Sequence, residues 1–287
     1  MKKALISVLV FFSLALFAGA QNFKTYAIGD SEFTALSDSV RMQAKSVLLQ
    51  PDAEIVKKVL PGDETPGAIN GYVLKTPQGI MLFDTGLGAN GSLWKSLKEA
   101  GIDAKLVRRI FLTHMHGDHI GGLLTPEGKP VFEKAMVYVN DQELEFWLSD
   151  KPANKDNIRM AKAVKEAYDA RLETFVWGQG ITGYITAMEA KGHTPGHTAF
   201  LLKCGPEIQD QILVVGDLVH VIPVQFADPS LSVRYDIDPA EAAVTRKKYL
   251  DLAFANKYRI AGMHIPFTGV GYVQKGDIGE YKFVPEQ

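Results

Sequence analysis

Short apolar runs alternate along the chain with longer stretches in which apolar residues recur at helical spacing. Strand-like runs occupy residues 25–28 and 33–36, and a hairpin pattern joins 71–75 to 80–83 through a turn. A helix-like stretch follows at about 90–100. In the second half of the chain the same order, strands and then helix, returns. The pattern predicts two similar halves, each burying a sheet under helices.

The second half carries the clearest helix boundaries. Asn140 precedes a helix-like stretch and Glu143 stands three residues later, which is a capping-box arrangement. Asp238-Pro239 begins the last helix with a cap and a proline at the first position. A longer helix is predicted over about 155–172. Further strands are predicted at 136–139, 184–188, 198–202, 212–215 and 258–261.

Prolines and glycines interrupt the pattern between the first strands and the hairpin. Pro61-Gly62 ends a short helix-like stretch at 53–60, and Pro66-Gly67 is typical of a turn. We therefore predict a loop over 61–70, which either covers a functional site or only connects elements.

The strongest chemical signal is a six-residue stretch rich in metal-ligating side chains: His114, Met115, His116, Gly117, Asp118 and His119. It follows the β-branched and apolar run 107–112 and is predicted to form a loop at a strand end. Alternate residues of a strand share a face, which lets His114 and His116 point the same way. Gly117 permits the turn that the last two residues need to reach the same place. We interpret this stretch as a metal-binding loop.

Further ligand-type residues follow downstream, and most of them stand next to a glycine: His193, His197, Asp217, His220 and His264. A strand-like run precedes most of them, so their side chains can converge at one rim of the fold. A catalytic metal with imidazole and carboxylate ligands takes three protein ligands and keeps one position open. The candidates exceed what one such ion uses and fit two metals that share a bridging carboxylate.

Composition excludes some classes of protein, and the N-terminus carries a targeting pattern. The net charge of −2 gives no electrostatic footprint for nucleic acid or for anionic membranes. Two lysines, an apolar run at 4–17 and small residues at 18–20 predict a signal peptide over 1–20, which leaves a single domain at 21–287. A retained membrane anchor is the less favoured alternative because the run is short. We expect an exported protein, periplasmic or secreted.

The single cysteine, Cys204, rules out an internal disulfide. It ends the apolar run 199–202, and we interpret it as a half-buried strand residue rather than a reactive thiol. Stability must therefore come from the core and from bound metal.

The ligand pattern resembles that of the metallo-β-lactamase-fold hydrolase superfamily. The motif HxHxDH at 114–119 is followed, in the family's order and spacing, by His193, Asp217 and His264. The resemblance covers nearly the whole predicted mature chain, from the Asp-Thr-Gly turn at 84–86 onward. It implies an α+β fold, a four-layer αββα sandwich with two mixed sheets flanked by helices and a dinuclear site at one edge. This agrees with the two halves that the hydrophobic pattern predicts.

Carried over onto these positions, the resemblance implies a ligand set for two ions. His114, His116 and His193 would hold one metal, Asp118, His119 and His264 the other, and Asp217 would bridge them. Asp84 resembles the family's carboxylate that accepts the second N–H of a ligating histidine. The candidate catalytic residues are Asp118 and His220.

The other two histidines give weaker signals. We interpret His197 as a structural hydrogen-bonding residue. In the family's homoserine-lactone lactonases a tyrosine that contacts the substrate carbonyl typically stands at the position of His220. His220 therefore either donates a hydrogen bond to an oxyanion or leaving group, or packs without a chemical role. Phe226 and Phe267 either form an apolar wall beside the metals or belong to the core.

The resemblance implies a hydrolase in which a metal-bridging hydroxide cleaves a lactone or another ester, as in homoserine-lactone lactonases. Residues 216–226 look especially like exported lactonases and organophosphate hydrolases. The alternatives are therefore an organophosphate triesterase similar to methyl-parathion hydrolase, a β-lactamase, and a non-catalytic metal-binding protein. Asp217 argues against a β-lactamase. We expect two divalent ions, Zn²⁺ first, and a small-molecule substrate. We expect no nucleic-acid partner and no stable membrane insertion once the signal is removed.

Overall fold

A computed structural model of the chain describes residues 21–151, 154–277 and 279–287. The signal peptide predicted over 1–20 lies outside these residues. None of the helices in the described ranges combines the length and apolarity that crossing a bilayer requires.

The first of two sheets in the described chain has seven strands that lie side by side in sequence order: β1 (Phe23–Ile28), β2 (Ser31–Ala44), β3 (Glu64–Thr76), β4 (Gly79–Phe83), β5 (Val107–Phe111), β6 (Met136–Asn140) and β7 (Leu172–Phe175). Strands β1 to β4 pair in antiparallel fashion. From β4 to β7 the pairing is parallel. The sheet is therefore mixed.

The second sheet takes the remaining six strands of the described residues: β8 (Ile185–Glu189), β9 (Thr198–Lys203), β10 (Gln211–Gly216), β11 (Arg259–Gly262), β12 (Val270–Lys275) and β13 (Tyr281–Pro285). Their order is β13-β12-β11-β10-β9-β8. Strands β10 and β11 pair in parallel, whereas their neighbours are antiparallel. The parallel pair brings the carboxyl ends of β10 and β11 to the same edge.

The helices begin and end as follows: α1 (Glu54–Val59), α2 (Leu93–Glu99), α3 (Gly117–Ile120), α4 (Asp141–Leu148), α5 (Lys155–Tyr168), α6 (Ile222–Ala227) and α7 (Pro239–Asn256). Both predicted N-caps are present, but Glu143 does not complete the predicted capping box at Asn140, because its carboxylate bonds elsewhere. The Asn140 side chain accepts from the backbone N–H of Gln142 at 3.0 Å, and Asp238 accepts from that of Glu241 at 3.0 Å. Each cap satisfies an N–H that lacks a partner within its helix.

Alternation of side chains across the strands builds the layers. On β5, Ile110 faces the core under α2, α4 and α5, whereas Phe111 lies between the sheets against Phe200, with ring centroids 5.7 Å apart. On β10, Val214 faces the inter-sheet core, and Leu213 packs under α7. Strands covered on both faces are apolar throughout. The order of layers is helix, sheet, sheet, helix, which confirms the predicted αββα sandwich.

The loop predicted over 61–70 is wrong, because residues 64–70 belong to β3. The backbone N–H groups of Ala68 and Asn70 point away from β2 and donate to His264 and Met263. Pro66 shares their alternation, so its missing N–H faces the same side and leaves the pairing with β2 intact. The segment is a strand that touches the His264 turn.

Helices α5 and α6 also differ from the sequence-based prediction. The helix predicted to reach residue 172 ends at Tyr168, because the chain turns there and 172–175 forms the edge strand β7. Helix α6 was not predicted, because it has only six residues. The apolar pattern around it is equally compatible with a connecting segment.

Candidate metal centre

The predicted ligands lie together at one edge of the sandwich, beyond the carboxyl ends of strands from both sheets. His114 and His116 follow β5, and Asp118 and His119 lie on the short helix α3. Asp217 directly follows β10. The remaining two residues, His193 and His264, lie in turns before β9 and after β11. Both halves of the chain therefore contribute.

Asp217 occupies the middle of the cluster and is 2% exposed. Its Oδ1 lies 3.2 Å from Nε2 of His119. Its Oδ2 lies close to Nε2 of four more histidines: 2.9 Å from His264, 3.2 Å from His220, 3.3 Å from His193 and 3.7 Å from His114. One carboxylate therefore faces five imidazole rings.

Two groups of nitrogen and oxygen atoms converge on either side of Asp217. Nδ1 of His116 lies 2.9 Å from Nε2 of His114 and 3.0 Å from Nε2 of His193. On the other side, the Asp118 oxygens lie 3.7 Å from Nε2 of His119 and 3.6 Å from Nε2 of His264. The two groups, the first of them with Asp217, have the geometry of metal-binding sets, as does the trio Asp217, His220 and His264.

Hydrogen bonds at the far side of the rings fix where each imidazole carries its proton. Nδ1 lies against an oxygen acceptor in three of them: His119 at 2.7 Å from Asp84, His193 at 2.8 Å from Asp236, and His264 at 2.9 Å from the Ala68 carbonyl. A carboxylate or carbonyl oxygen requires an N–H there, so the neutral form of each ring has its lone pair on Nε2, toward Asp217. This is the tautomer that binds a metal through Nε2.

The atoms at the centre lack the partners that buried polar atoms normally have. Among the described residues, Nε2 of His119 and Oδ1 of Asp217 are buried without a hydrogen bond. Leaving such atoms unpaired costs about 1–3 kcal/mol each, so they indicate a ligand that the protein itself does not supply. Imidazole nitrogens and carboxylate oxygens suit divalent ions. The residues therefore fit a metal centre.

Electrostatics keeps the central carboxylate ionised. Burial alone would raise the pKa of Asp217, but the charges of His119 and His264 outweigh it and hold that pKa well below its ordinary value. Burial lowers the pKa of His193, whereas its hydrogen bonds to Asp217 and Asp236 raise it, and the result is a pKa of about 9. Burial lowers the pKa of His220 to about 4. His220 is therefore neutral at ordinary pH.

His197 and His220 occupy different places. His197 uses both ring nitrogens inside the protein: Nδ1 donates to the Ala190 carbonyl at 2.8 Å, and Nε2 accepts from the Asp217 backbone N–H at 3.0 Å. It lies outside the metal-binding groups. His220 lines the cavity beside the centre, and its Nδ1 is buried without a partner among the described residues.

A cavity of about 620 Å³ opens onto the centre, a size typical of small-molecule sites. Its apolar wall consists of Leu87, Trp147, Met160, Tyr235 and Ile237. Phe226 and Phe267 do not line it. Phe226 packs against Phe283, with the two rings tilted, in the core under α7, and Phe267 packs against the inter-sheet core. Both phenylalanines are therefore core residues and do not form an apolar wall beside the metals.

The sequence reasoning missed the function of Glu143, which it treated as a helix-capping residue. This carboxylate is fully buried and accepts four hydrogen bonds: from the backbone N–H groups of Met115 at 2.8 Å and Gly196 at 3.0 Å, the Trp147 ring at 2.7 Å and the Thr194 hydroxyl at 2.6 Å. It thus ties the 114–119 loop to the 192–197 turn. The available signal was its place four residues before Trp147, on the apolar face of the helix.

Fold and centre together define the class. Residues 65–264 match the Metallo-beta-lactamase superfamily, and the chain belongs to that family. The class predicted from sequence, a metal-dependent hydrolase fold, is thereby confirmed.

Solved structures of similar proteins cover nearly the whole chain. The crystal structure of the hydrolase AbOPH of the beta lactamase superfamily is 32% identical, with a TM-score of 0.84 over 94% of this chain and 99% of that one. AidC, a dizinc quorum-quenching lactonase in complex with an N-hexanoyl-L-homoserine product, is 27% identical, with a TM-score of 0.82 over 93% of this chain and 98% of that one.

A relative found by sequence covers less of the chain. The uncharacterised protein YobT of Bacillus subtilis (strain 168) is 24% identical over 152 residues, and the match spans 52% of this chain and 61% of YobT.

Proposed function

We propose that the protein is a dinuclear metal-dependent hydrolase that opens a lactone or cleaves a related carboxylic ester. The observation that carries the proposal is Asp217, whose two oxygens face the Nε2 atoms of histidines on both sides. A carboxylate in this position suits a bridge between two ions, and a shared pair of ions is a hydrolytic centre.

The ligand assignment follows the two groups of atoms. His114, His116 and His193 would hold one ion, and Asp118, His119 and His264 the other. Asp217 would bridge them. We propose Zn²⁺ as the resident ion, which the dizinc centre of AidC supports. When bound, such ions lower the pKa of water toward neutrality and polarise the carbonyl that is attacked.

The chain's own residues prepare the site for this chemistry. Asp84 and Asp236 hold the protons of His119 and His193 on Nδ1, away from the centre. Nε2 of neutral His220 donates to Asp217 at 3.2 Å, so we assign His220 as a positioning residue for the bridging carboxylate. Asp118, the more exposed carboxylate at 24%, faces the cavity where substrate enters.

The cavity supports an ester or lactone with an apolar portion. Trp147, Met160 and Ile237 offer an apolar wall beside the polar centre, and such a wall suits an acyl chain. The lactonase AidC, at 27% identity, acts on that type of compound. We also propose that the protein is exported, which the pattern at 1–20 supports.

Elemental analysis of the purified protein, coupled to a substrate panel, tests the proposal. We expect two divalent ions per chain and faster turnover of a lactone than of a phosphotriester or a β-lactam. Exhaustive chelation should abolish the activity, and returning Zn²⁺ should restore it. Full activity without metal would overturn the proposal. Two ions without turnover on the panel would instead favour a metal-binding protein.

A further inference from the structure

Arg41 stands beside the metal centre, and no residue in the described part of the chain gives it an acidic partner. It lies on β2 and lines the cavity together with Asp118 and His264. Among the described residues its guanidinium forms no ion pair, and its Nε is buried without a hydrogen bond. Arginines that are partly removed from water normally face a carboxylate or a phosphate. The described residues supply no carboxylate or phosphate for this one.

The single side-chain contact of the Arg41 guanidinium within the described chain does not provide that acceptor in a metal-loaded centre. One terminal nitrogen lies 3.0 Å from Nδ1 of His264. The same Nδ1 lies 2.9 Å from the Ala68 carbonyl, which can only accept, so it must carry the proton when Nε2 serves as a ligand. A protonated Nδ1 has no lone pair for Arg41. The state that suits catalysis thus leaves the guanidinium free to bind a ligand.

The charge around the cavity favours an anion as that ligand. The carboxylates of Asp84, Asp118 and Asp217, together with the hydroxide that the proposed function requires, would balance two divalent ions, and Asp236 is opposed by Arg246 at 3.4 Å. Arg41 therefore adds a positive charge that none of these groups balances. A second guanidinium, that of Arg234, lies at the exposed rim of the same cavity and forms no ion pair with any described residue.

We infer that the substrate carries a carboxylate in addition to the ester bond that is cleaved, and that Arg41 binds this carboxylate. The planar guanidinium presents N–H donors that match the two oxygens of a carboxylate. Arg234 increases the attraction of the rim for the same group. The apolar wall formed by Trp147, Met160 and Ile237 holds the rest of the molecule. Arg41 is thus a specificity-determining residue, and the inference rests on the proposed hydrolase function.

A matched pair of lactones tests the inference. The γ-lactone of 2-hydroxyglutarate carries one ring carboxylate, and the comparison compound has a carboxamide in its place. We expect kcat/KM of the wild-type protein to be about tenfold to 100-fold higher for the carboxylate lactone. This is the fold-change that one hydrogen bond to a charged group contributes. Arg41→Gln should remove this preference, so that the ratio of the two kcat/KM values falls to about one. Arg41→Lys keeps the positive charge without the planar pair of N–H donors, and it should restore part of the preference for the carboxylate.

The control is Arg108→Gln, because Arg108 is exposed on β5 and bonds only to a backbone carbonyl among the described residues. Calorimetric titration with 2-hydroxyglutarate, the product, gives a readout independent of turnover, and Arg41→Gln should weaken binding by a similar factor. Equal loss of kcat/KM on both lactones, or no loss on either, would overturn the inference. Absence of turnover on both in the wild type would instead contradict the proposed function, and the titration would still decide whether Arg41 binds the carboxylate.

Discussion

Glu143 on α4 accepts a hydrogen bond of 2.8 Å from the backbone N–H of Met115, the residue between the first two histidines of the metal loop. Its other oxygen accepts from the Thr194 hydroxyl, next to His193. A single carboxylate thus sets the distance between two loops that belong to different halves of the chain. Because the bonds reach the backbone, they position the loops without touching a metal.

Replacing this carboxylate by an amide should loosen both loops. Glu143→Gln places an NH₂ group against donors, and leaving buried donors unpaired is expected to cost about 2–4 kcal/mol of unfolding free energy. Denaturant unfolding of the metal-depleted protein measures it. Glu145→Gln on the same helix is the control, because Glu145 is exposed. Equal stability of the two variants would show that the four bonds to Glu143 contribute little.

Asp84→Asn should weaken metal binding without disturbing the backbone. Asp84 has φ of 55°, a conformation that asparagine tolerates, so the change isolates the carboxylate. The amide cannot accept from His119, Thr113 Oγ1 and the Thr113 N–H together, and the proton of His119 is no longer fixed on Nδ1. We expect metal affinity to fall about 10- to 100-fold. Competition with a chromophoric chelator measures it, and exposed Asp52→Asn should bind as the wild type does.

His220→Phe tests the positioning role. Phenylalanine keeps the ring but removes the 3.2 Å contact with Asp217. We expect kcat to fall about 10- to 100-fold and the affinity for metal to fall with it, while KM changes little. His220→Gln, which keeps a donor, should recover part of both. Unchanged kinetics in the phenylalanine variant would return His220 to an inert packing role.

Cys204 should be unreactive in the folded protein. Burial raises the pKa of its thiol to about 11, and the residue is 5% exposed. At pH 8 only about one thiol in a thousand is then the reactive thiolate. A colorimetric disulfide reagent should modify Cys204 slowly in the native protein and rapidly in denaturant. Fast native modification would contradict this assignment.

The same shift has a consequence for stability at high pH. The pKa of the Cys204 thiol is higher in the folded state than the ordinary thiol value of about 9, so the unfolded chain loses the proton first. Stability is therefore lost as pH rises from about 9 toward 11. Cys204→Ala should reduce this loss, and unfolding curves of the two proteins across that range measure the difference. Identical pH dependence would show that the thiol does not titrate differently on folding.

The ligand positions could be predicted because each lies in a short local pattern. A histidine or aspartate beside glycine near a strand end is visible within five residues of sequence, as at His116 and Asp217. Strand 64–70 could not be predicted, because Pro66 fits there only through its alternation with Ala68, whose N–H faces His264. That partner lies almost two hundred residues away in the chain.

Glu143 and Arg41 show why the rest of the site could not be predicted from the sequence. Their functions depend on what surrounds them after folding: Glu143 is surrounded by donors, and no described residue gives Arg41 an acidic partner. Neither fact is local. A buried carboxylate that faces four donors, and a guanidinium without a carboxylate among the described residues, become visible only when the two sheets are packed together.

The ligands of the proposed centre come from both sheets, and this gives a bound ion a mechanical function. Coordination would act as a cross-link between the halves of the sandwich, bridging segments as distant as His114 and His193. Metal binding and folding are then thermodynamically linked, because an ion bound only by the closed sandwich stabilises it by mass action. Any substitution that separates the sheets would lower metal affinity, even one far from every ligand, and a scarcity of metal would lower the stability of the sandwich together with its turnover.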